Sequence, residues 1–317
     1  MKELYAKLRP ACDFAGVLTD EASLASTGGR LEAYNKGLMV SLPFEGPTFT
    51  VPVVDFDFSM RKHEDPQIKV TEKNVILDGK TRVKRLADRT ALKRPDIECN
   101  EIPNVEDFMN ALDDVYPFTL GDKARAWSEG ARFDGTLITA TNSIVLLQAV
   151  LDADCGFEGV TLSRSAISYM RQRRAELQAW GLSDRGLMLE FSDGSWALAA
   201  RMSMEMPDAA VTMVDNLDYS DLPELPTHDA ANILKTIEWS DDIVTLFPDK
   251  VYAGRYSTDH DEAVDIDLGE AEQAIFGAKA LEAVVLKASH VGFNCFPQPV
   301  PFITTRGSKG LIAGRQR

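Results

Sequence analysis

Cysteine, histidine, long apolar runs and positive charge are all scarce in this 317-residue chain, and each shortage removes a class of protein. The four cysteines, Cys12, Cys99, Cys155 and Cys295, stand singly with no CxxC pair, which argues against zinc ligation and against a disulfide framework. They read as buried free thiols. No apolar run approaches the roughly 20 residues that span a bilayer, and Met1-Lys2-Glu3-Leu4-Tyr5 lacks the apolar core of a signal peptide. A cytoplasmic protein with no membrane association is therefore expected. None of the four histidines, His63, His228, His260 and His290, lies in a serine or cysteine nucleophile signature.

The shortage of positive charge bears most on partners. A formal net charge of -15 argues at first against nucleic acid, because phosphate binders normally carry a basic excess. The charge is unevenly spread: net +1 over residues 1–100, -10 over 101–218 and -6 over 219–317. A chain that is acidic outside and basic along one face could still meet phosphates, so the sign of the total does not decide the partner.

Candidate catalytic groups fail on spacing. Asp259-His260-Asp261-Glu262 resembles a metal site in composition, but adjacent side chains on a turn do not converge on one ion without distant ligands. It reads as a solvated acidic loop. Asp55 and Asp57 alternate with Phe56 and Phe58 at the start of a helix, where acids complement the dipole. Gly307-Ser308-Lys309-Gly310 lacks the GxxxxGK[ST] spacing of a phosphate loop and reads as a hairpin turn. No catalytic residue, metal or cofactor is expected.

What the chain does contain is a repeat. Alternating strand-like runs flank three turns: Ile68 to Leu77 and Lys80 to Leu86 around Asp78-Gly79, Leu187 to Ser192 and Trp196 to Met202 around Asp193-Gly194, and Val300 to Thr305 and Gly310 to Ala313 around Gly307-Ser308. Gly79 to Gly194 is 115 residues and Gly194 to Gly307 is 113. A two-strand unit recurs upstream of each: Arg30 to Asn35 with Leu38 to Phe44, Thr136 to Thr141 with Ile144 to Leu151, and Lys250 to Arg255 with Ala263 to Leu268. Helix-like segments precede each unit at Lys2 to Phe14, Val105 to Val115 and His228 to Trp239, with Pro10 interrupting the first. Others follow at Val53 to His63, Leu162 to Trp180 and Gly277 to Val291, and the spacing of Ile167, Met170, Arg174, Leu177 and Gly181 predicts a long amphipathic helix. Proline-bearing linkers lie at Lys93 to Asn104 and Asp215 to Thr227. The chain is read as α+β, with three domains at 1–102, 103–220 and 221–317.

These segments resemble the bacterial and phage DNA sliding clamps, the β subunit family of replicative DNA polymerase III. Leu137-Ile138-Thr139-Ala140-Thr141-Asn142-Ser143 looks like that family's strand ending in Ala-Thr-Asp-Gly. Asp193-Gly194-Ser195-Trp196, Ala200-Arg201-Met202 and Met206-Pro207-Asp208 look like its hairpin, Arg-containing strand and Pro-Asp turn, and Gly310-Leu311-Ile312-Ala313 looks like its last apolar strand. Leu8-Arg9-Pro10 is similar to its proline-bearing first helix. Asn142-Ser143 in place of Asp-Gly, the Arg315-Gln316-Arg317 ending and the short domains depart from the cellular bacterial pattern and point to a phage or divergent member.

The resemblance implies the DNA-clamp fold: three repeated domains, each with two helices inside a ring and antiparallel sheets outside, two copies closing a homodimer of six domains. It implies a non-enzymatic polymerase processivity factor on double-stranded DNA, with DNA polymerase and a clamp loader as partners. On the expected lining helices the basic residues are Lys2, Lys7, Arg9, Arg61, Lys62, Arg171, Arg173, Arg174, Lys235, Lys279 and Lys287, with Lys123 and Arg125 near the acidic third helix. A partner-peptide pocket is expected from Thr141, Ile144, Leu146, Leu311 and Ile312. A head-to-tail dimer join is expected between Lys80, Arg82, Lys84 and Arg85 on one edge hairpin and Glu262, Asp265, Asp267 and Glu270 around a strand of the last domain. The alternatives are a metal-dependent hydrolase using the acidic loop around His260, and a clamp-like interaction scaffold that never closes a ring.

Overall fold

The three expected turns all form, each carried by a glycine in the left-handed region: Gly79 at φ 67°, Gly194 at φ 75° and Gly307 at φ 84°. Asp78 joins Gly79 there at φ 50°, whereas at the second and third turns only the glycine has positive φ. The structure, a computed structural model, describes residues 1–14, 22–119, 126–202, 204–254, 263–269, 271 and 273–315.

Three successive sets of elements follow one plan. The first comprises α1 (Lys2–Leu8), β1 (Ser23–Thr27), β2 (Arg30–Tyr34), β3 (Leu38–Pro43), β4 (Phe49–Pro52), α2 (Val53–Met60), β5 (Ile68–Val70), β6 (Asn74–Leu77) and β7 (Thr81–Lys84). After a short strand β8 (Asn100–Glu101), the second runs α3 (Val105–Val115), β9 (Gly130–Asp134), β10 (Leu137–Thr141), β11 (Val145–Val150), β12 (Val160–Ser163), α4 (Arg164–Gln172), β13 (Leu177–Ser183), β14 (Gly186–Phe191) and β15 (Trp196–Ala199). Helix α5 (Asp208–Asp215) leads to the third: α6 (Thr227–Glu238), β16 (Ile243–Leu246), β17 (Lys250–Ala253), β18 (Ala263–Asp265), β19 (Ala274–Gly277), α7 (Ala278–Val285), β20 (Ala288–Val291), β21 (Val300–Thr304) and β22 (Lys309–Ile312).

Each set makes a four-stranded array in the same order, β4-β1-β2-β3, β12-β9-β10-β11 and β19-β16-β17-β18, and a three-stranded meander, β5-β6-β7, β13-β14-β15 and β20-β21-β22. All pairings are antiparallel, so the fold is α+β. The arrays then join: β3 pairs with β15 to give one eight-stranded sheet that ends on β8, and β11 pairs with β22 to give a seven-stranded sheet. Arrays β5-β6-β7 and β18-β17-β16-β19 remain separate sheets.

The chain divides into two compact units. The first, Met1–Val105 with Ser165–Met202, holds the eight-stranded sheet and β5-β6-β7. Its core includes Tyr5 of α1 edge-on to Phe56 of α2, with ring centroids 5.4 Å apart, and Phe56 stacked on Phe49 at 6.1 Å. The second, Glu106–Arg164 with Ser203–Arg317, holds the seven-stranded sheet and β16–β19. Phe133 packs there with Phe108 and Phe157, and Phe276 with Phe293 and Phe296.

Several sequence expectations are corrected. The helix expected from Leu162 to Trp180 stops at Gln172, and Leu177 and Gly181, placed on its apolar face, lie in β13. A Cβ on Gly181 would meet the Glu98 carbonyl oxygen at 2.0 Å, so its glycine serves a close strand approach, not a helix face. Likewise α7 ends at Val285 and Ala288–Val291 is strand β20. The first helix is α-helical only over Lys2–Leu8, and Pro10 sits in a 3-10 turn, Arg9–Ala11. The first and fourth strands of every four-stranded array escaped the sequence reading.

Candidate nucleic-acid and partner interface

Helices α1, α2 and α4 and the residues just after them carry the expected basic residues of the first unit, and burial separates them into two kinds. Arg173, a phosphate contact by the sequence expectation, has a side chain only 2% exposed. Its guanidinium donates to Glu176, to Asp193 Oδ2 at 2.8 Å, to Ser195 Oγ at 2.9 Å and to the Tyr169 hydroxyl at 3.1 Å, and it lies over the Phe191 ring. Such a group is a structural ion, not a free phosphate ligand. Lys7 is similarly engaged, with Nζ 2.6 Å from Glu176 Oε1 and 3.2 Å from Asp193 Oδ2. Burial opposes ionisation of Asp193, yet hydrogen bonds from Ser195 and the charges of Arg173 and Lys7 hold its carboxyl down at about 2. Glu176 is lowered despite burial by Lys7 and Arg173.

The remaining basic groups reach solvent. Arg9 and Arg61 both bind the buried Asp57, at 2.7 and 2.6 Å, while keeping much of their own surface exposed. Tyr5 donates to the same carboxylate at 2.8 Å. Burial would raise Asp57, but Arg9 and Tyr5 keep it below the usual carboxylate value, which makes it a clasp between α1 and α2. Lys62 lies 3.8 Å from the Phe58 ring centroid, and Lys2 is exposed. Arg171 and Arg174 are half-buried near the end of α4.

In the second unit Lys235 and Lys279 are exposed, with Lys235 over Trp239. Lys287 is not free: its Nζ binds the Asp113 carbonyl at 2.9 Å and Asp114 Oδ1 at 3.3 Å. Arg306 approaches the same Asp114 oxygen at 3.4 Å, and Ser308 Oγ donates to Oδ2 at 2.9 Å. Asp114 is thus a buried acceptor at the end of α3 serving three donors. Lys123 and Arg125 lie outside the described residues.

The expected peptide pocket is largely closed by the chain itself. Leu146 and Leu311 face one another across β11 and β22 and form a buried cluster with Val214 of α5, covered further by Ala210, Leu217 and Tyr219. Tyr219 donates to the Gly310 carbonyl at 3.2 Å, with Lys309 over its ring. Thr141 and Ile312 are also buried, which leaves Ile144 as the one exposed member of the five. Asn142 Oδ1 accepts the Ile144 and Val145 N–H groups and Ser143 takes φ 74°, so Asn-Ser builds the tight turn without a glycine. Sequence reasoning missed α5 as the cover, although Pro207-Asp208 is a helix-start signal.

Of the outer strands, β7 and β18 are the two that match those joined at β3–β15 and β11–β22. Among the described residues β7 pairs only with β6, and β18 only with β17. Lys80, Arg82 and Lys84 are exposed on the first edge, and Asp265 and Asp267 on and just after the second. Arg85 is less available than expected, being half-buried and bound to Asp88 at 2.8 Å. Glu262 and Glu270 lie outside the described residues.

No family model matches the sequence, and no curated protein matches it by sequence. Solved structures do. Caulobacter crescentus pol III beta superposes with a TM-score of 0.75 over 98% of this chain and 96% of its own, at 15% identity. The beta subunit of Thermotoga maritima DNA polymerase III gives 0.75 over 100% and 97%, at 12% identity. The Helicobacter pylori beta clamp bound to a DNA ligase peptide gives 0.71 over 100% and 97%, at 11% identity. The chain has the bacterial sliding-clamp fold.

Within this clamp fold the acidic loop Asp259-His260-Asp261-Glu262 lies outside the described residues, and among those described no three metal-capable side chains cluster. Gly307-Ser308-Lys309-Gly310 is a hairpin turn running into β22. No helix among the described residues is long and apolar enough to cross a membrane. Cys12 and Cys155 are buried and Cys99 and Cys295 half-buried, all as free thiols, and burial pushes Cys12 up to about 12.

Proposed function

We propose that this chain is a DNA polymerase processivity factor of the sliding-clamp kind, with no reaction of its own. Two copies close a ring around double-stranded DNA, a clamp loader places it there, and the replicative polymerase is tethered to it. The carrying observation is the thrice-repeated array: two of its three possible joins are made inside the chain, and one basic edge, β7, and one acidic edge, β18, are left for a second copy. The repeats correspond to domains at 1–102, 103–220 and 221–317. Their short length fits a phage or divergent clamp working in the bacterial cytoplasm.

Lys2, Arg9, Arg61, Lys62, Arg171, Arg174, Lys235 and Lys279 are at least partly exposed and are the groups proposed for phosphate contact, which holds DNA without reading its sequence. The Helicobacter clamp structure with a DNA ligase peptide supports a peptide site here as well. The seam of β11 and β22, where Ile144 is exposed beside the α5 cover, is its proposed place.

The test is topological. Protein loaded by its clamp loader onto nicked circular duplex should stay bound through high-salt gel filtration and be lost when the circle is cut, because a ring slides off ends. Equal loss from circular and linear DNA contradicts encirclement.

A further inference from the structure

The two internal joins share a register from which a pairing of β7 with β18 can be inferred. This inference rests on the head-to-tail reading above and deepens it. At the first internal join Ser41 faces Trp196, and at the second Gln148 faces Lys309. These pairs occupy matching places. Ser41 lies two residues before Pro43, which faces Arg30 at the start of β2; Gln148 lies two before Val150, which faces Leu137 at the start of β10. In the third array Asp265 faces Lys250 at the start of β17, so the matching residue is Ala263.

The other side matches equally. Trp196 faces Glu190 and Lys309 faces Ile303, each one residue before the partner of the first residue of its meander, Leu177 or Ala288. In the first meander Ile68 faces Leu77 and Ile76 faces Arg82, which makes Arg82 the counterpart of Trp196 and Lys309. One register therefore serves both joins.

We propose that β7 of one copy pairs antiparallel with β18 of a second copy in this same register, with Arg82 opposite Ala263, Thr81 opposite Val264 and Lys80 opposite Asp265. The outermost pair has a precedent: Gly194, the counterpart of Lys80, approaches Pro43, the counterpart of Asp265, so closely that a Cβ there would lie 3.6 Å from the proline ring. The side chains fit. Lys80, Arg82 and Asp265 are exposed, while buried Val83 and half-buried Val264 point to the other face by the alternation of strands.

This join also differs from the internal ones. Lys7 and Asp114 each stand three residues before the proline of a 3-10 turn, and their partners Glu176 and Lys287 each precede the first meander strand. The third position is fixed by a shared bond: Asp107 accepts the Asp152 N–H as Asp229 accepts the Asp267 N–H, so Asp114 matches Thr236. Asp193 and Arg306 match Gly79, and Glu176 and Lys287 match Gln67. The set that would meet between copies is thus Thr236, Gln67 and Gly79, with no charge among them.

Cysteine pairs in the full chain test the register, with Cys99 and Cys295 replaced by Ser. Arg82→Cys with Ala263→Cys should oxidise to a covalent dimer, whereas Arg82→Cys with Asp265→Cys, offset by two residues to roughly 7–8 Å, should not. As an independent check, Lys80→Glu should raise the dimer dissociation constant about two- to fivefold, and adding Asp265→Lys should restore it. A dimer that cross-links only through the offset pair, or through neither, overturns the register while leaving the edge assignment intact. A monomeric parent protein overturns both.

Discussion

The two units seal their internal joins with ion networks of opposite sign at matching positions. In the first, the cation Lys7 ends α1 and meets the anions Glu176 and Asp193; in the second, the anion Asp114 ends α3 and meets the cations Lys287 and Arg306. Fold position alone does not dictate the charge, because both versions close the same strand pairing. What the reversal supplies is selectivity. Lys7 set against Lys287, or Asp114 against Glu176, would place like charges together in half-buried surroundings, so α1 accepts only the end of α4, and α3 only the end of α7.

The largest expected effects lie at the buried ions. Asp114→Ala should leave Lys287, Arg306 and Ser308 without their common acceptor and cost about 3 kcal/mol, read as a lowered midpoint in urea. Arg173→Ala in the first unit should cost a similar amount, roughly 3 kcal/mol, because Asp193, Ser195 and Tyr169 lose one shared donor. A loss under about 0.5 kcal/mol at either site would mean that the network is incidental.

Arg171→Glu with Arg174→Glu should weaken retention on circular DNA and flatten its dependence on salt, whereas Arg173→Met should lower stability and leave the salt slope unchanged. A steeper loss of DNA retention in the Arg173 variant would contradict its assignment as a structural ion.

The smallest expected effect is on pH. Asp193 is depressed to about 2 and Glu176 is lowered, so both bind protons more weakly in the folded chain than in the unfolded one. Their contribution is complete above about pH 5, beyond the unfolded carboxylate values, and is lost as pH falls toward about 2. Because these carboxylates keep some solvent access, the effect should be modest. Urea midpoints measured from pH 5 to 2 should fall less steeply in Asp193→Asn than in the parent, and parallel curves would count against the network.

How far this could be read from sequence depended on range. The hairpins were legible because Asp-Gly and a turn glycine act within four residues, and α3 was found with its bounds because its apolar spacing and first-turn acids agree. The second helices were overextended because β13 and β20 begin within a few residues of the helix end, and no proline intervenes. Strands such as β1, Ser23–Thr27, have too many small and polar residues to show alternation. The ion networks were invisible for another reason: Lys7 and Glu176 are 169 residues apart, and Asp114 and Ser308 are 194. Without those partners Arg173 looked like its neighbours Arg171 and Arg174, and without α5 in place Leu146 and Leu311 looked open.

Of the array edges that match those joined within the chain, one basic edge, β7, and one acidic edge, β18, remain, and a second copy is proposed to fill them. Sedimentation equilibrium at micromolar concentration in low salt tests this most directly. The account predicts about 70 kDa, twice the 35.0 kDa chain, with dissociation favoured as salt rises. A single species at the mass of one chain under those conditions would contradict it.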